Sequence, residues 1–572
     1  MARTTEPRTE HEDPAGRLRR AAADVYGWER LLPEQLTAME WVLRGHDTLV
    51  VMPTGSGKSA VYQVPALLLS GPTVVVSPLI ALQRDQIAGL PEGDRAPGAV
   101  AINSDLSGAE TEAAWDAVRE GRARFVYLSP EQLARDDVLD RLAEARPDLF
   151  VVDEAQCITS WGHDFRPDYL RLEQAAQRVG RPPVLALTAT AAPPVRREIT
   201  ERLGMRRPRL MVTGFDRPNI RLEVRRFLGE SERRRAVVER AAAEPKPGIV
   251  YAATRKDSED YAGELASLGL AAEAYHAGRR AAERARVHEA FLAGETDVIV
   301  ATSAFGMGID KDDVRFVVHA SLPGSLDAYY QEIGRCGRDG RPALAVLHYR
   351  AEDTGMQTYF ASRTTGEEAL SQVTWALHDH RAGAAGLDEL HHDTGLSRKR
   401  VTAAVNLLEE AGAVAAAESG GVRPTEGVSP ARAVQRAEGA AEAHRRTERS
   451  RVDMARAYAE TTGCRRHFLL GYFGEAYEAP CGNCDTCEKA AGRPDHDAAD
   501  TERFAHPPAR YPTGTEVRHE QWGDGTVLSG EPDRISVLFD RVGYRTLSLQ
   551  ALAQRHDLLT VLRRPGEDRP AP

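Results

Sequence analysis

From residue 48 to residue 187 the chain repeats one pattern: a short, largely β-branched apolar run, a polar turn, then a longer stretch with apolar positions at helical spacing. The runs fall at 48–52, 73–77, 99–102, 125–128, 149–152 and 184–187, and a second series follows at 248–251, 271–275, 298–301, 315–319 and 343–349. Strands that read as unbroken apolar runs and alternate with helices predict parallel sheets covered on both faces. We therefore expect two α/β domains in tandem, at 21–212 and 213–362, behind a polar, disordered tail at 1–20.

Beyond residue 362 the period changes. Leu387 and Leu390, a turn at Gly395, Ser397 as a cap, and Val401, Val405 and Leu408 at i, i+4 and i+7 predict a helix-turn-helix, with Val414 and the Gly420-Gly421 turn as a small wing, over 363–430. A helical module follows at 431–490, then a polar linker at 491–508 with Pro507-Pro508. Short strands at 516–519, 526–529, 535–539 and 545–549 predict a small β-barrel over 509–563, with a tail at 564–572.

Length agrees with this division, since 572 residues exceed what one core holds. With 42% hydrophobic and 28% charged residues, no apolar run of membrane length and no apolar leader, a cytoplasmic protein without a membrane partner is expected. The net charge of −11 argues against coating nucleic acid through the overall field, though not against a locally basic cleft. Six cysteines are too few for a disulfide scaffold, and three crowd into Cys481, Cys484 and Cys487, which suggests a metal site.

Chemistry enters at Pro53-Thr54-Gly55-Ser56-Gly57-Lys58-Ser59, where a β-branched run stops at a Gly-rich turn that opens a helix. Backbone N–H groups freed by Gly55 and Gly57 can wrap phosphate oxygens, Lys58 can reach the β and γ phosphates, and the Ser59 hydroxyl can hold Mg²⁺. The strict G-x-x-x-x-G-K-S pattern fails where Met52 replaces the first glycine. A partner stands at the end of another such run, where Asp153 can hold Mg²⁺ and Glu154 can orient and deprotonate a water; we expect it on a strand neighbouring the phosphate loop. Arg335 and Arg338, three apart at the start of a Gly-rich segment, suit either a γ-phosphate contact or a salt-bridged surface helix.

In order, the chain reads VVMPTGSGKS, VVVSPLIALQRDQ, YLSPEQL, VVDEAQCITSWGHDFRPDY, LALTATA, GFDRPNIR, AYHAG, VIVATSAFGMGIDKDDVRFVVHAS and YYQEIGRCGRDGRP. This set resembles the RecQ family of superfamily-two DNA helicases over roughly residues 20–360 and again at 450–490. The resemblance implies two RecA-like domains that close on ATP and step 3′ to 5′ along DNA. It implies phosphate and Mg²⁺ binding through Thr54, Gly55, Ser56, Gly57, Lys58 and Ser59, catalysis by Asp153 and Glu154, adenine reading by Gln35, and γ-phosphate sensing by Arg335 and Arg338, with Arg338 as the finger. Gln156, Thr188, Thr190, Gly308, Asp310 and Gln331 would couple hydrolysis to domain motion, and Trp161, His163, Phe165 and Arg166 would sense single-stranded DNA by stacking and phosphate pairing. Cys464, Cys481, Cys484 and Cys487 match the family's zinc module, and four thiolates suit a closed, structural Zn²⁺ site.

Four departures qualify the likeness. The family's aromatic-Arg-Pro-Gly-Gln motif reads Leu31-Leu32-Pro33-Glu34-Gln35 here, leaving Trp28 to stack on the base and Arg30 to substitute for the arginine, with relaxed nucleotide preference or weaker ATP binding expected. Gln156 stands where most relatives have histidine, so this position cannot titrate. The helix-turn-helix precedes the zinc module instead of following it, and its second helix opens with Arg398-Lys399-Arg400, suited to DNA phosphates. Finally, the segment from Val517 through Trp522 and Val527 to Leu547 is similar to the small Tudor-like barrel that ends the UvrD/PcrA repair helicases, where it docks on RNA polymerase; this implies a protein partner, RNA polymerase or another. The expected function is an ATP-dependent 3′–5′ DNA helicase in repair or recombination, acting on single-stranded and duplex DNA; the alternative is a DNA-stimulated ATPase that translocates or remodels protein–DNA complexes without unwinding.

Overall fold

The computed structural model describes residues 13–91, 93, 96–103, 105–159, 167–306, 311–361, 366–380, 384–417, 421–491, 510–531, 533–555, 557–565 and 567. Trp161, His163, Phe165, Arg166, Gly308, Asp310 and nearly all of the expected linker lie outside the described residues. The rest divides into two compact units, the first holding the chain up to Ile158 with Asp168–Ala189 and Arg196–Gly214, the second holding Thr190–Val195 and the chain from Phe215 onward.

The first unit is organised on β1 (Thr48–Val51), β2 (Thr73–Val76), β3 (Ala99–Ile102), β4 (Phe125–Leu128), β5 (Leu149–Val152), β6 (Val184–Thr188) and β7 (Arg209–Val212). They form one parallel sheet in the order β3-β4-β2-β5-β6-β1-β7. β1, β2, β4, β5 and β6 are buried along their whole length, which is why their sequences carry no polar alternation. Edge strand β7 is mostly exposed and carries no such run. β6 separates β5 from β1, so the Asp153 and Lys58 segments are next-but-one neighbours, not adjacent ones as expected.

The expectation of a disordered tail through residue 20 fails from Pro14 on, because Pro14–Tyr26 is a helix. Its charged positions hide an apolar stripe of Ala15, Leu18 and Ala22, buried with Leu36, Met39 and Val64. Gly27, at φ +69°, ends the helix in the left-handed region.

The second unit begins with β8 (Ile220–Arg226), β9 (Gly248–Tyr251), β10 (Ala272–Tyr275), β11 (Val298–Ala301), β12 (Phe316–His319) and β13 (Ala343–Tyr349). These are again parallel, in the order β10-β11-β9-β12-β13-β8. Next come helices Glu367–Asp379, Leu387–Thr394 and Arg398–Glu410 and a hairpin of β14 (Val414–Ala416) and β15 (Val422–Pro424). Gly395 turns the chain between the second and third of these helices at φ +65°, as expected, but the Ser397 side chain makes no capping bond. Leu370, Leu390, Val401, Val405 and Leu408 share one core with Ala433, Ala437 and Ala441 of the long helix Pro430–Glu460, so that helix serves the modules on both sides of residue 431.

Helices Arg465–Tyr472 and Asp485–Ala491 complete the cysteine module. The chain from residue 510 forms β16 (Glu516–His519), β17 (Gly523–Gly530), β18 (Arg534–Phe539), β19 (Gly543–Ser548) and β20 (Leu559–Arg563). They make an antiparallel sheet in the order β19-β18-β17-β16-β20, with register shifts at Glu516/Val517 and Val527/Ser529 that increase its twist. Val517, Val527, Val537 and Phe539 form its core with Leu552 of the helix Leu549–Gln554. Among the described residues no helix is long and apolar enough to cross a membrane.

Candidate functional site

In the first unit, β1 ends at the phosphate-type loop, where Gly55 and Gly57 take φ +79° and +72°, conformations that side chains resist. The loop winds into the helix Ala60–Ala66 through turn bonds from Ala60 N to Gly57 O (3.2 Å) and from Val61 N to Lys58 O (3.0 Å). Lys58 Nζ donates to the carbonyls of Met52 (3.2 Å) and Pro53 (3.3 Å), folding the ammonium over its own loop. Ser56 Oγ donates to Pro53 O at 2.6 Å.

Gln35 is tied into this loop. Its Oε1 accepts from Leu32 N (2.9 Å), and its Nε2 donates to Ser56 O (3.0 Å) and Gly57 O (3.1 Å). A Cβ on Gly57 would stand 2.8 Å from Gln35 Nε2, so glycine is needed there for closeness as well as conformation. Trp28 stacks one face on Tyr26, centroids 4.4 Å apart at 17°. Leu32, in place of the family's arginine, is half exposed.

At the end of β5, buried Asp153 accepts from Gln86 Nε2 (2.8 Å) and from Glu154 N (3.0 Å). Burial first, then the Glu154 carboxylate, push its carboxyl up to about 6, against the opposing pull of Gln86 and Lys58. Glu154, just past the end of β5, adopts φ +48°, a strained position for a side-chain-bearing residue. Gln156 Nε2 donates to Glu154 Oε2 at 2.8 Å, while Gln156 Oε1 accepts from Thr188 Oγ1 at 2.6 Å. The end of β6, the strand between β5 and β1, is therefore hydrogen-bonded through one neutral amide to the acidic pair.

Gln86 escaped the sequence reading. The usable signal was its place in Leu82-Gln83-Arg84-Asp85-Gln86, on a helix leaving β2, the strand beside β5. Gln83, one turn earlier, is fully buried and donates to Ser77 O (3.3 Å), so two amides three apart mark that helix's inward face.

In the second unit the helix Leu326–Ile333 leads directly to Arg335, which is buried, and Arg338, which is half-buried. Gln331, on that helix, donates to Thr190 Oγ1 at 3.3 Å, and both residues belong to this unit. Arg398, Lys399 and Arg400 are exposed at the start of their helix, with Arg398 paired to Asp388 at 2.8 Å.

The four predicted cysteines come together, their sulfur atoms all within 4.8 Å of one another, with Cys481 and Cys487 3.9 Å apart. Tetrahedral coordination with bonds near 2.3 Å sets sulfurs about 3.8 Å apart, so the set fits Zn²⁺. Thiol donors from Cys464, Cys481 and Cys487 hold the Cys484 thiol far below its ordinary range. The cysteine loop also covers the edge of β8: Leu222 N donates to Asn483 O (3.3 Å) and Asn483 Nδ2 to Pro218 O (2.9 Å). Arg466 reinforces the join through Asp216 Oδ1 (2.6 Å) and Ile220 O (2.7 Å). Cys157 and Cys336 are buried and lie outside this cluster.

Three family models match in sequence order: DEAD/DEAH box helicase at 32–198, helicase conserved C-terminal domain at 233–340, and RecQ zinc-binding at 428–488. The chain is 33% identical over 477 residues to the probable ATP-dependent DNA helicase RecS of Bacillus subtilis, covering 82% of this chain and 91% of that protein. It is 34% identical over 484 residues to the ATP-dependent DNA helicase RecQ of Pasteurella multocida, covering 83% of this chain and 63% of that longer protein. In fold it is similar to the Mycobacterium smegmatis helicase Lhr solved with single-stranded DNA and AMP-PNP, at TM-score 0.50 and 19% identity over 76% of this chain and 63% of that one. Two parallel-sheet α/β domains in the RecA-like pattern, a zinc-type cysteine module and relatives of this identity and coverage lead to one conclusion: the chain belongs to the RecQ family of ATP-dependent DNA helicases.

Proposed function

We propose that this protein is an ATP-driven 3′–5′ DNA helicase acting in repair or recombination in the cytoplasm. The observation that carries the reading is the first unit's hydrogen-bonded series, which joins Glu154, Gln156 and Thr188 beside a Gly-rich loop bearing Lys58. An arriving nucleotide would draw Lys58 Nζ off the carbonyls of Met52 and Pro53, trading neutral acceptors for charged phosphate oxygens. Backbone N–H groups at 54–59 would wrap the phosphates, Glu154 would take a proton from the attacking water, and Arg335 and Arg338 would answer the charge that develops on the γ-phosphate. Asp153 and Ser59 would hold Mg²⁺, which when bound would neutralise phosphate charge.

Trp28 and Gln35 would meet the base. Thr190, Gly308, Asp310 and Gln331 would relay domain motion, and Trp161, His163, Phe165 and Arg166 would grip single-stranded DNA by sequence-tolerant stacking. The module at 363–430 reads as a winged helix that meets duplex DNA through Arg398, Lys399 and Arg400, and the C-terminal sheet as a Tudor-like barrel that takes a protein partner, RNA polymerase being one occupant. Strand displacement on a 3′-tailed duplex, run beside DNA-stimulated ATPase with Lys58→Ala as control, tests the reading. Unwinding lost with Lys58→Ala supports it; ATPase without unwinding would favour a translocase that remodels protein–DNA complexes.

A further inference from the structure

The helix Leu326–Ile333 delivers Arg335 and Arg338, and its first turn is pinned by a buried polar series that ends in the C-terminal sheet. Asp327, 5% exposed, accepts from the hydroxyl of Tyr472 and from Arg451 Nη2 at 3.3 Å. Arg451 is wholly buried within the long helix Pro430–Glu460, with a second carboxylate, Glu448, at 2.7 Å. Charges removed from water hold their positions strictly, because losing one partner strands the other. Tyr472 has a single hydroxyl proton and spends it on Asp327; its oxygen then accepts from Tyr544 OH at 2.8 Å.

Tyr544 lies on β19 and is itself fixed. Its ring stacks on Tyr472 with centroids 5.1 Å apart at 22°, and its N–H donates to Ser450 Oγ at 3.1 Å. The preceding Gly543, at φ +79°, approaches the long helix so closely that a Cβ would stand 2.2 Å from Ser450 Oγ. All of these groups lie within the second unit. A sheet that merely tethered a partner would have no need to place a hydroxyl, fully buried, at the end of a series reaching the helix that leads to the arginines. Asp327 stands six residues, about 9 Å of helix, before Ile333, where the helix ends and the chain turns to Arg335 two residues on, so loosening its first turn would shift the segment that carries the arginines.

We propose that Tyr544 is a positioning residue for Arg335 and Arg338, and that the C-terminal sheet is a working part of the ATPase as well as an appendage. The inference rests on the proposed action of those arginines at the γ-phosphate. Its test is a double-mutant cycle in the full chain with Tyr544→Phe, Arg338→Ala and both together, reading kcat and KM for ATP with saturating single-stranded DNA. Losing one hydrogen bond's worth of alignment predicts that Tyr544→Phe lowers kcat about three- to tenfold with KM within about twofold. In the Arg338→Ala background the same change should cost under about twofold, because the group it positions is gone. An equal loss in both backgrounds, or none in the native one, overturns the proposal and leaves the arginine reading standing. An unchanged kcat for Arg338→Ala itself overturns the arginine reading, and this inference with it. If Tyr544→Phe does not fold, Ser450→Ala, which loosens the same strand from the helix side, enters the cycle with the same expected and refuting outcomes.

Discussion

Gln156 offers the sharpest perturbation in the first unit, because both ends of one neutral amide are spent: Nε2 on Glu154 at 2.8 Å and Oε1 on Thr188 at 2.6 Å. Gln156→Leu keeps the buried volume and removes both bonds. The bond to an ionised carboxylate is worth about 1.5–3 kcal/mol, which converts to a fall in kcat of roughly ten- to 150-fold if Glu154 must be held to act. Loss of the bond to the fully buried Thr188 hydroxyl adds about 1 kcal/mol of lost stability, which a melting curve separates from the catalytic effect. Gln156→Glu makes the argument specific. Protonated, the new side chain can still donate to Glu154; ionised, it repels it. ATPase activity of Gln156→Glu should therefore match the native enzyme's most closely at acid pH and fall away as pH rises, while Gln156→Leu stays low throughout. Steady-state ATPase between roughly pH 5.5 and 9, with and without single-stranded DNA, reads all three. Native kcat in Gln156→Leu, or a Gln156→Glu profile parallel to native, would refute the reasoning.

Three further outcomes follow from other parts of the structure. Chelation or Cys481→Ser should remove about one zinc per chain and lower the melting temperature by about 10 °C, reversibly for the chelated protein, because the cysteine loop also covers β8 at Leu222; an unmoved transition speaks against a structural metal. His348 is buried with both ring nitrogens unpaired and stacked on Phe227, and burial, then Arg225, depress its pKa to about 3. The folded chain keeps the ring neutral down to about pH 3 while the unfolded chain protonates it below about 6.5, so stability is fully present above about 6.5 and is lost as pH falls toward 3, up to roughly 4 kcal/mol; His348→Leu should melt higher than native at about pH 5 and within about 1 kcal/mol of it at about pH 8, and a difference independent of pH would contradict this. Replacing exposed Arg398, Lys399 and Arg400 with alanine should flatten the salt dependence of duplex binding by up to about 2.7 in log–log slope, whereas an unchanged slope assigns that helix to another task.

What could be read from the sequence followed from how completely each element is buried. β1, β2, β4, β5 and β6 are covered on both faces and appear as apolar runs, so each was found within a residue or two. β7 and β8 were not. β7 is an exposed edge, and β8 reads Ile-Arg-Leu-Glu-Val-Arg-Arg, with Arg221 and Arg225 serving Glu223 and Glu488 in ion pairs that only the fold assembles. β20 was missed for the same reason, since it alternates buried and exposed positions at a sheet edge. The loop at Lys58, the Asp153-Glu154 pair and the four cysteines were legible because their chemistry fixes residue type and local spacing. Gln86 was not, because nothing local shows that a helix leaving β2 reaches a carboxylate on the neighbouring β5.

At the nucleotide loop the departure from the family lies on the base side, not on the phosphate side. The loop's missing first glycine costs nothing visible: Met52 is buried, its N–H donates to Thr188 O at 3.1 Å, and the turn is made by Gly55 and Gly57. At the base end, Leu32 offers no charge, and its N–H is taken by Gln35, whose amide is in turn committed to Ser56 and Gly57. If Gln35 reads the base as proposed, its Nε2 could donate to an adenine only by releasing a carbonyl of the loop, whereas Oε1, with one donor at Leu32 N, could accept from the base in place. On that reading base recognition and phosphate grip would be linked through one side chain. A nucleotide with a poorly matched base would leave Gln35 on the loop carbonyls at Ser56 and Gly57, so selectivity would show in how the loop opens and not only in contacts to the ring.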